Sequence, residues 1–369
     1  MTKTLINYFY ILHLLGFLLI KPTIAAPDNF NPGLRLNTNE NTVNSDRQEI
    51  IITSPNSTKS PPQNLPQEKD TEITEESENK TPKITFENTT NDSLKTTDNN
   101  GQINQYTHQT FNFKLNNGDT LAITSGYESY QQTGIEDVNN IPLKLTWQGK
   151  KGPVNLSAGI GIDFFDRLSS SYGFNASISG QPSEGLNLSG IVEFGPYKFN
   201  AKTLESEITA WRYGPNVYWQ ISKDVSFFSL FRVGNYSDGN VENQSFSRLE
   251  KKFGQFAVAA NLFTWGYSQD LNEENGYFSP SDFLVYTGEL SWTGEIFTDL
   301  LKCRLAVAIG EQRLNGDSSG ADTYEGLCTI KFAPNLEADF GYSYSNIRST
   351  DNQINKPIEK FIGKFRWAF

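Results

Sequence analysis

From about residue 106 onward this chain repeats one pattern, the strict alternation of apolar and polar residues over roughly ten to fifteen positions. NLSAGIGIDFF (155–165) sets Leu156, Ala158, Ile160, Ile162 and Phe164 on one face against Asn155, Ser157, Gly159, Gly161 and Asp163. SSYGFNASISG (170–180), ITAWRYGPNVYWQIS (208–222) and NLEADFGYSYS (335–345) repeat it. A period of two is that of a β-strand with one apolar and one polar face. Strands of this length are roughly twice those of a soluble sandwich. They match the roughly 9–11 residues a strand needs to cross a bilayer at a tilt.

The connections point the same way. Short turns at QPSEG (181–185), SKD (222–224) and APN (333–335) alternate with longer polar loops. Those loops are DRLSSS (166–171), YSDGNVENQ (236–244), SQDLNEENGYFSPSD (268–282) and STDNQINKPIE (349–359). The pattern predicts an all-β fold, a transmembrane antiparallel β-barrel of about sixteen strands, with fourteen as the alternative. About fourteen or fifteen strands follow residue 119, and 106–116 supplies one more. A soluble secreted β-protein with long strands is the competing reading. Composition fits a barrel: aromatics reach 13% while mean hydropathy stays at -0.50. Many rings in a polar chain suggest thin apolar faces repeated many times rather than one deep core.

The organisation has three parts. Residues 1–26 read as a cleaved secretory signal, with Lys3, an apolar run from Leu5 to Ile20, and Thr23-Ile24-Ala25-Ala26 as a cleavage site. Residues 27–105, rich in Asn, Thr, Pro, Ser, Glu and Lys, predict a disordered periplasmic segment that acts as a spacer. Residues 106–369 make the barrel. A net charge of -11 gives no sign of nucleic-acid binding. No phosphate-cradling Gly loop or metal-ligand spacing occurs, so neither a cofactor nor a catalytic site is expected. His108 in QYTHQTF reads as an interfacial residue near a strand end, since no Ser lies beside it.

By parity the polar face becomes a lumen carrying Lys144, Asp163, Glu193, Arg212, Glu289, Lys302, Arg304, Glu325, Lys331, Glu337, Asp339, Lys364 and Arg366. Mixed signs allow two readings: a hydrated wall that passes a polar solute, or a lumen closed by neutralising salt bridges. The Asn-Gly pair in LNGD (314–317) predicts a two-residue hairpin. Counting back from Leu314 opposite Asp317 sets Cys303 opposite Cys328 on the lipid side. They form either a cross-strand disulfide or two small apolar residues facing lipid.

The last strand, FIGKFRWAF, puts Phe361, Phe365, Trp367 and Phe369 on one side and Lys364 and Arg366 on the other. Phe365, Trp367 and Phe369 resemble the terminal signal read by the barrel-assembly machinery of Gram-negative outer membranes. Residues 263–292, FTWGYSQDLNEENGYFSPSDFLVYTGELSW, carry Gly276-Tyr277-Phe278-Ser279-Pro280 ahead of a strand ending at Trp292. This segment resembles the C-terminal barrel of the cellulose synthase operon C family, the outer-membrane exporters of bacterial exopolysaccharide. The resemblance covers roughly the last 200 residues and implies a sixteen-stranded barrel that conducts a β-linked glucan. The family's tetratricopeptide repeats have no counterpart here, as no 34-residue helical repeat is present. Pattern and resemblance together lead to the expectation of an outer-membrane exopolysaccharide channel, in contact with outer-membrane lipid and with a polysaccharide synthase or periplasmic scaffold. A general diffusion porin and a structural or adhesive barrel with a closed lumen are the alternatives.

Overall fold

The computed structural model describes residues 84–98, 102–348 and 357–368. Sixteen strands follow one another: β1 (Thr85–Asp98), β2 (Ile103–Lys114), β3 (Thr120–Gln132), β4 (Ile135–Lys151), β5 (Val154–Phe165) and β6 (Ser171–Ser183). Next come β7 (Leu186–Pro196), β8 (Thr209–Ser222), β9 (Val225–Tyr236), β10 (Val241–Phe253) and β11 (Phe256–Tyr267). The chain continues with β12 (Phe283–Phe297), β13 (Leu301–Leu314), β14 (Asp317–Ala333), β15 (Leu336–Ser345) and β16 (Ile358–Ala368). Two short helices interrupt them, α1 (Ala201–Glu205) and α2 (Asn272–Asn275). Each strand pairs antiparallel with the next, and β1 pairs with β16, so the sheet closes on itself with no free edge. Among the described residues no helix is long and apolar enough to cross a membrane.

The sixteen strands are composed differently from the expectation. Fourteen of them follow residue 119, and two precede it. The barrel therefore begins at Thr85, inside the tract read as a disordered spacer, rather than at 106. The reason is chemical: TFENTTNDSLKTTD is polar on both faces, so it carries no period-two signal to read. Its ladder partners, β2 and β16, define it instead. The expected signal at 1–26 and the tract from 27 to 83 lie outside the described residues, as does Phe369.

Turns of two residues at 152–153, 184–185, 223–224, 254–255 and 334–335 lie at one end of the barrel, where β1 also starts and β16 finishes. The opposite end carries the long connections 197–208, 268–282 and 346–357. YSDGNVENQ is shorter than expected, because β9 runs to Tyr236 and β10 resumes at Val241. The long 197–208 connection, with α1 inside it, carries no sequence signal that would announce it.

The faces divide as the alternation requires. Ile160, Tyr172, Trp211, Leu290 and Phe340 point outward and are exposed in the isolated chain, which is where lipid contacts a membrane barrel. Hairpin β13–β14 turns at Asn315 and Gly316, both at positive φ (50° and 97°), the values a two-residue turn of this kind demands. Leu314 faces Asp317 and Cys303 faces Cys328, in the register that the hairpin count requires. Of the two readings for the cysteines, the bonded one holds: they are joined by a disulfide with Cα atoms 4.1 Å apart, and both side chains lie on the outward face beside Leu305 and Ile330. These are the only two cysteines of the chain. Titration of the denatured protein is therefore expected to find no free thiol until a reductant is added, and two afterwards; two thiols without reductant would contradict the pairing.

Candidate functional site

The interior is the candidate site, and it has two contrasting halves. Toward the short-turn end, the inward face is a series of ion-paired rows. Arg304 donates to Glu325 (2.6 Å) and to Glu289, which also accepts from Arg248 (2.6 Å), which in turn reaches Glu250 (2.6 Å). The row thus runs Glu325–Arg304–Glu289–Arg248–Glu250 across β14, β13, β12 and β10, every member largely buried. On β16, Arg366 is forked between Glu337 (3.0 Å) and Asp339 (2.8 Å), and Lys364 pairs with Asp92 (2.7 Å). Each of these arginines is held by two carboxylates. That arrangement follows from the fold: a charge facing a narrow lumen is tolerated only when its desolvation is repaid by close partners.

A third node sits deeper. Glu242 of β10, 0% exposed, accepts from Arg212 Nε (2.9 Å), the Tyr236 hydroxyl (2.9 Å) and Trp265 Nε1 (2.7 Å). Glu193 meets Arg212 from the other side at 3.4 Å. A fourth forms around Glu128 of β3, which receives His108 Nε2 (2.9 Å), Tyr130 Oη (3.0 Å), Asn140 Nδ2 (2.7 Å) and Lys198 Nζ (2.8 Å). Lys198 also reaches Asp163 (2.6 Å). Burial alone would lower the Lys198 pKa, but the two carboxylates outweigh it and hold it above the ordinary lysine value.

Toward the long-loop end the inner wall turns aromatic. On β11 the inward series changes from Ala257, Ala259 and Asn261 to Phe263, Trp265 and Tyr267. Phe246, Phe283 and Tyr236 join them. Onto this surface fold the two long connections. In 268–282 residues 276–280 are all buried or nearly so, with Tyr277 and Phe278 at 0% exposure. Tyr277 stacks on Tyr236 (5.4 Å) and meets Tyr197 edge-on (5.4 Å). Its hydroxyl donates to Asp238 (2.7 Å) and accepts from Asn240 (2.9 Å). Burial, reinforced by the bond to Asp238, pushes its pKa up, so it stays a neutral donor. Phe278 packs edge-on against Trp265 and Phe283, each at 5.6 Å. Ser279 accepts from the Leu271 amide (2.8 Å) and so closes the loop on itself.

The connection 197–208 spans the mouth from β7 to the far wall. Asn200 caps α1 by accepting from the Thr203 amide (2.8 Å), and its Nδ2 donates to the Gly276 carbonyl (2.6 Å). Across the lumen, the Phe199 carbonyl accepts from Asn104 (2.6 Å) and Gln102 (3.3 Å), and Leu204 packs with Tyr130 and Val138. Gly276 is needed at the crossing, since its φ is 79° and a Cβ there would stand 2.7 Å from Lys202 Cβ. The two loops brace each other and form a plug.

All the lumen residues expected from parity share the inner face. Lys144 stands opposite Thr124, Lys302 opposite Thr329, and Lys331 opposite Glu337, while the others belong to the nodes above. The GYFSP motif, whose fold no local pattern dictates, is the centre of the plug. His108 is corrected: it lies midway along β2 rather than near a strand end, and it faces inward, stacked on Tyr106 (4.3 Å) and bonded to Glu128, while Phe111 and Phe113 mark the outer face of the strand. Glu128, Lys198, Arg248, Glu250 and Glu242 were missed. On β10 Phe246 shares the inner face with Arg248, so hydrophobicity gives no orientation there.

No protein-family model matches the chain, and comparison with curated proteins gives no match. Among solved structures, the barrel is similar to one described as a bacterial polysaccharide outer membrane secretin, at 9% identity and a TM-score of 0.62, over 76% of this chain and 98% of that one. It is also similar to CdiB from Acinetobacter baumannii, at 11% identity and a TM-score of 0.50, over 77% of this chain and 60% of that one. At such identities the likeness is one of fold: a membrane barrel of the outer-membrane kind.

The nodes differ in depth, and this sets an expected order. Glu242→Leu removes the fully buried partner shared by Arg212, Tyr236 and Trp265, leaves Arg212 its longer ion pair to Glu193, and is expected to cost about 3–5 kcal/mol of barrel stability. Glu337→Leu, at a pair whose glutamate is 35% exposed, is expected to cost far less. Gel-migration measurements of thermal unfolding check this, and equal losses would contradict it.

Proposed function

We propose that this chain is a gated outer-membrane channel through which a polar polymer leaves the cell by passive conduction, an exopolysaccharide such as a cellulose-like glucan. The observation that carries the reading is the division of the interior. The ion-paired half retains solvent access, as at Glu337 and Asp92, and suits a hydroxyl-rich chain that makes weak, exchangeable contacts. The other mouth is filled by loop residues packed on inward aromatic side chains of the wall, so the loops can withdraw without breaking a ladder hydrogen bond. In this orientation the short turns face the periplasm and the plug faces the cell surface. The likeness of fold to a polysaccharide secretin and the GYFSP resemblance support the same reading.

The closed mouth counts against an open diffusion porin. A structural barrel whose lumen never opens is the second reading, favoured by the complete burial of Tyr277, Phe278 and Glu242. In the proposed setting the partners are outer-membrane lipid, the barrel-assembly machinery and a polysaccharide synthase or periplasmic scaffold. Deleting the gene is expected to lower surface or secreted polysaccharide severalfold, with recovery when the intact gene returns; unchanged polymer output would overturn the export reading.

A further inference from the structure

One part of the outer wall breaks the rule the rest obeys. On β1, Asn91 stands opposite Phe365, Ser93 opposite Gly363 and Lys95 opposite Phe361, so these polar side chains share the lipid-facing side of β16. On β2, Gln109, Thr107 and Gln105 stand opposite the same three residues and continue the strip. At comparable positions β4 and β5 present Leu143, Leu145, Ile160 and Ile162. The strip lies within the apolar belt, since Trp367 stands beside Thr89 below it and Phe361 beside Lys95 at its top.

Internal bonds order the strip without exhausting it. Asn91 Nδ2 donates to Gln109 Oε1 (3.4 Å), and the Ser93 and Thr107 hydroxyls meet at 3.1 Å. Gln109 Nε2 also reaches Thr89 Oγ1 and the Thr90 carbonyl (3.2 Å). An amide side chain has two donors and two lone pairs on its oxygen, and every strip residue is half-exposed toward the membrane side. Hydrocarbon offers no partner for that remaining capacity, so an outer face of this kind is favoured only where another polar surface meets it.

We propose that the β1–β2 strip is the contact between two copies of this chain, meeting about a twofold axis in the membrane. The chemistry selects a second copy. Amides and hydroxyls both donate and accept, so a strip turned to face itself is self-complementary, as a twofold contact requires. A partner presenting carboxylates would call for a row of pure donors, and here only Lys95, at the edge, is one. The centre is also small: Gly363, Ser93 and Thr107 lie in one row across β16, β1 and β2, which lets two walls approach closely with the amides on either side. The inference is independent of what the lumen carries.

The test uses the full chain in its own membranes. Ser93→Cys with a short bismaleimide is expected to give a covalent dimer, while Ile160→Cys, on the bare apolar wall, is not. Adding Asn91→Leu and Gln109→Leu to Ser93→Cys is expected to lower the crosslinked yield about tenfold, the loss of two membrane hydrogen bonds, with the folded-barrel gel migration retained. Light scattering of the unmodified chain in mild detergent is expected to give the dimer mass, which decides the matter should the variants fail to fold. A monomer mass, a Ser93→Cys adduct with a different protein, or equal crosslinking in the Leu variant would overturn the proposal.

Discussion

Inside a hydrocarbon layer no water is at hand for the backbone, so each N–H and C=O must be bonded within the protein. For a chain of strands, only a closed sheet satisfies this, and the pairing of β1 with β16 is therefore the bond set on which everything else depends. Closure explains why β1 exists at all. Its side chains give it little reason to be a strand, yet without it β2 and β16 would present two bare edges to lipid. The ladder recruits a polar segment because the backbone requirement outweighs the preference of its side chains.

Closure also dictates the interior. A cylinder of this size encloses space that must be packed or kept wet, and the protein does both. The aromatic half is packed by the two loops, and the ion-paired half stays partly open. The rows of arginine between carboxylates follow from the same constraint, for a single buried guanidinium would be costly while a forked one is compensated. Glu242 shows where the two halves join: it takes Arg212 from the polar side and Tyr236 and Trp265 from the aromatic side. A rigid wall and a plug of loop residues are thus consequences of one requirement met in two ways.

Much of this was legible in the residues, wherever one face of a strand is apolar. The alternation in β5, β6, β8 and β15 orients those strands correctly, and the Asn-Gly turn set the register that places Cys303 on Cys328. The inward charges on those same strands followed. Legibility failed where the alternation is missing or inverts. β1 is polar on both sides, which hid the first strand, and the apolar residues of β2 lie only near its ends, so the mid-strand His108 was read as an interfacial residue. On β11 the alternation inverts at the upper end, with Phe263, Trp265 and Tyr267 facing inward and Thr264 and Gly266 outward, which hid the aromatic wall. The plug was beyond reach for another reason: its contacts, such as Asn200 with Gly276 and Phe199 with Asn104, join residues far apart in the chain, and no local pattern encodes them. The GYFSP motif marked one half of it as distinctive, while the 197–208 half had no mark.

If the two loops are what closes an otherwise conductive barrel, ion conductance across a planar bilayer measures it directly. The intact chain is expected to show almost no current. A variant with 198–207 and 269–281 replaced by short Gly-Ser linkers is expected to open stable, ion-conducting pores. Equal conductance in the two proteins would contradict the account: if both are open the plug is no barrier, and if both are silent the lumen is sealed by its walls.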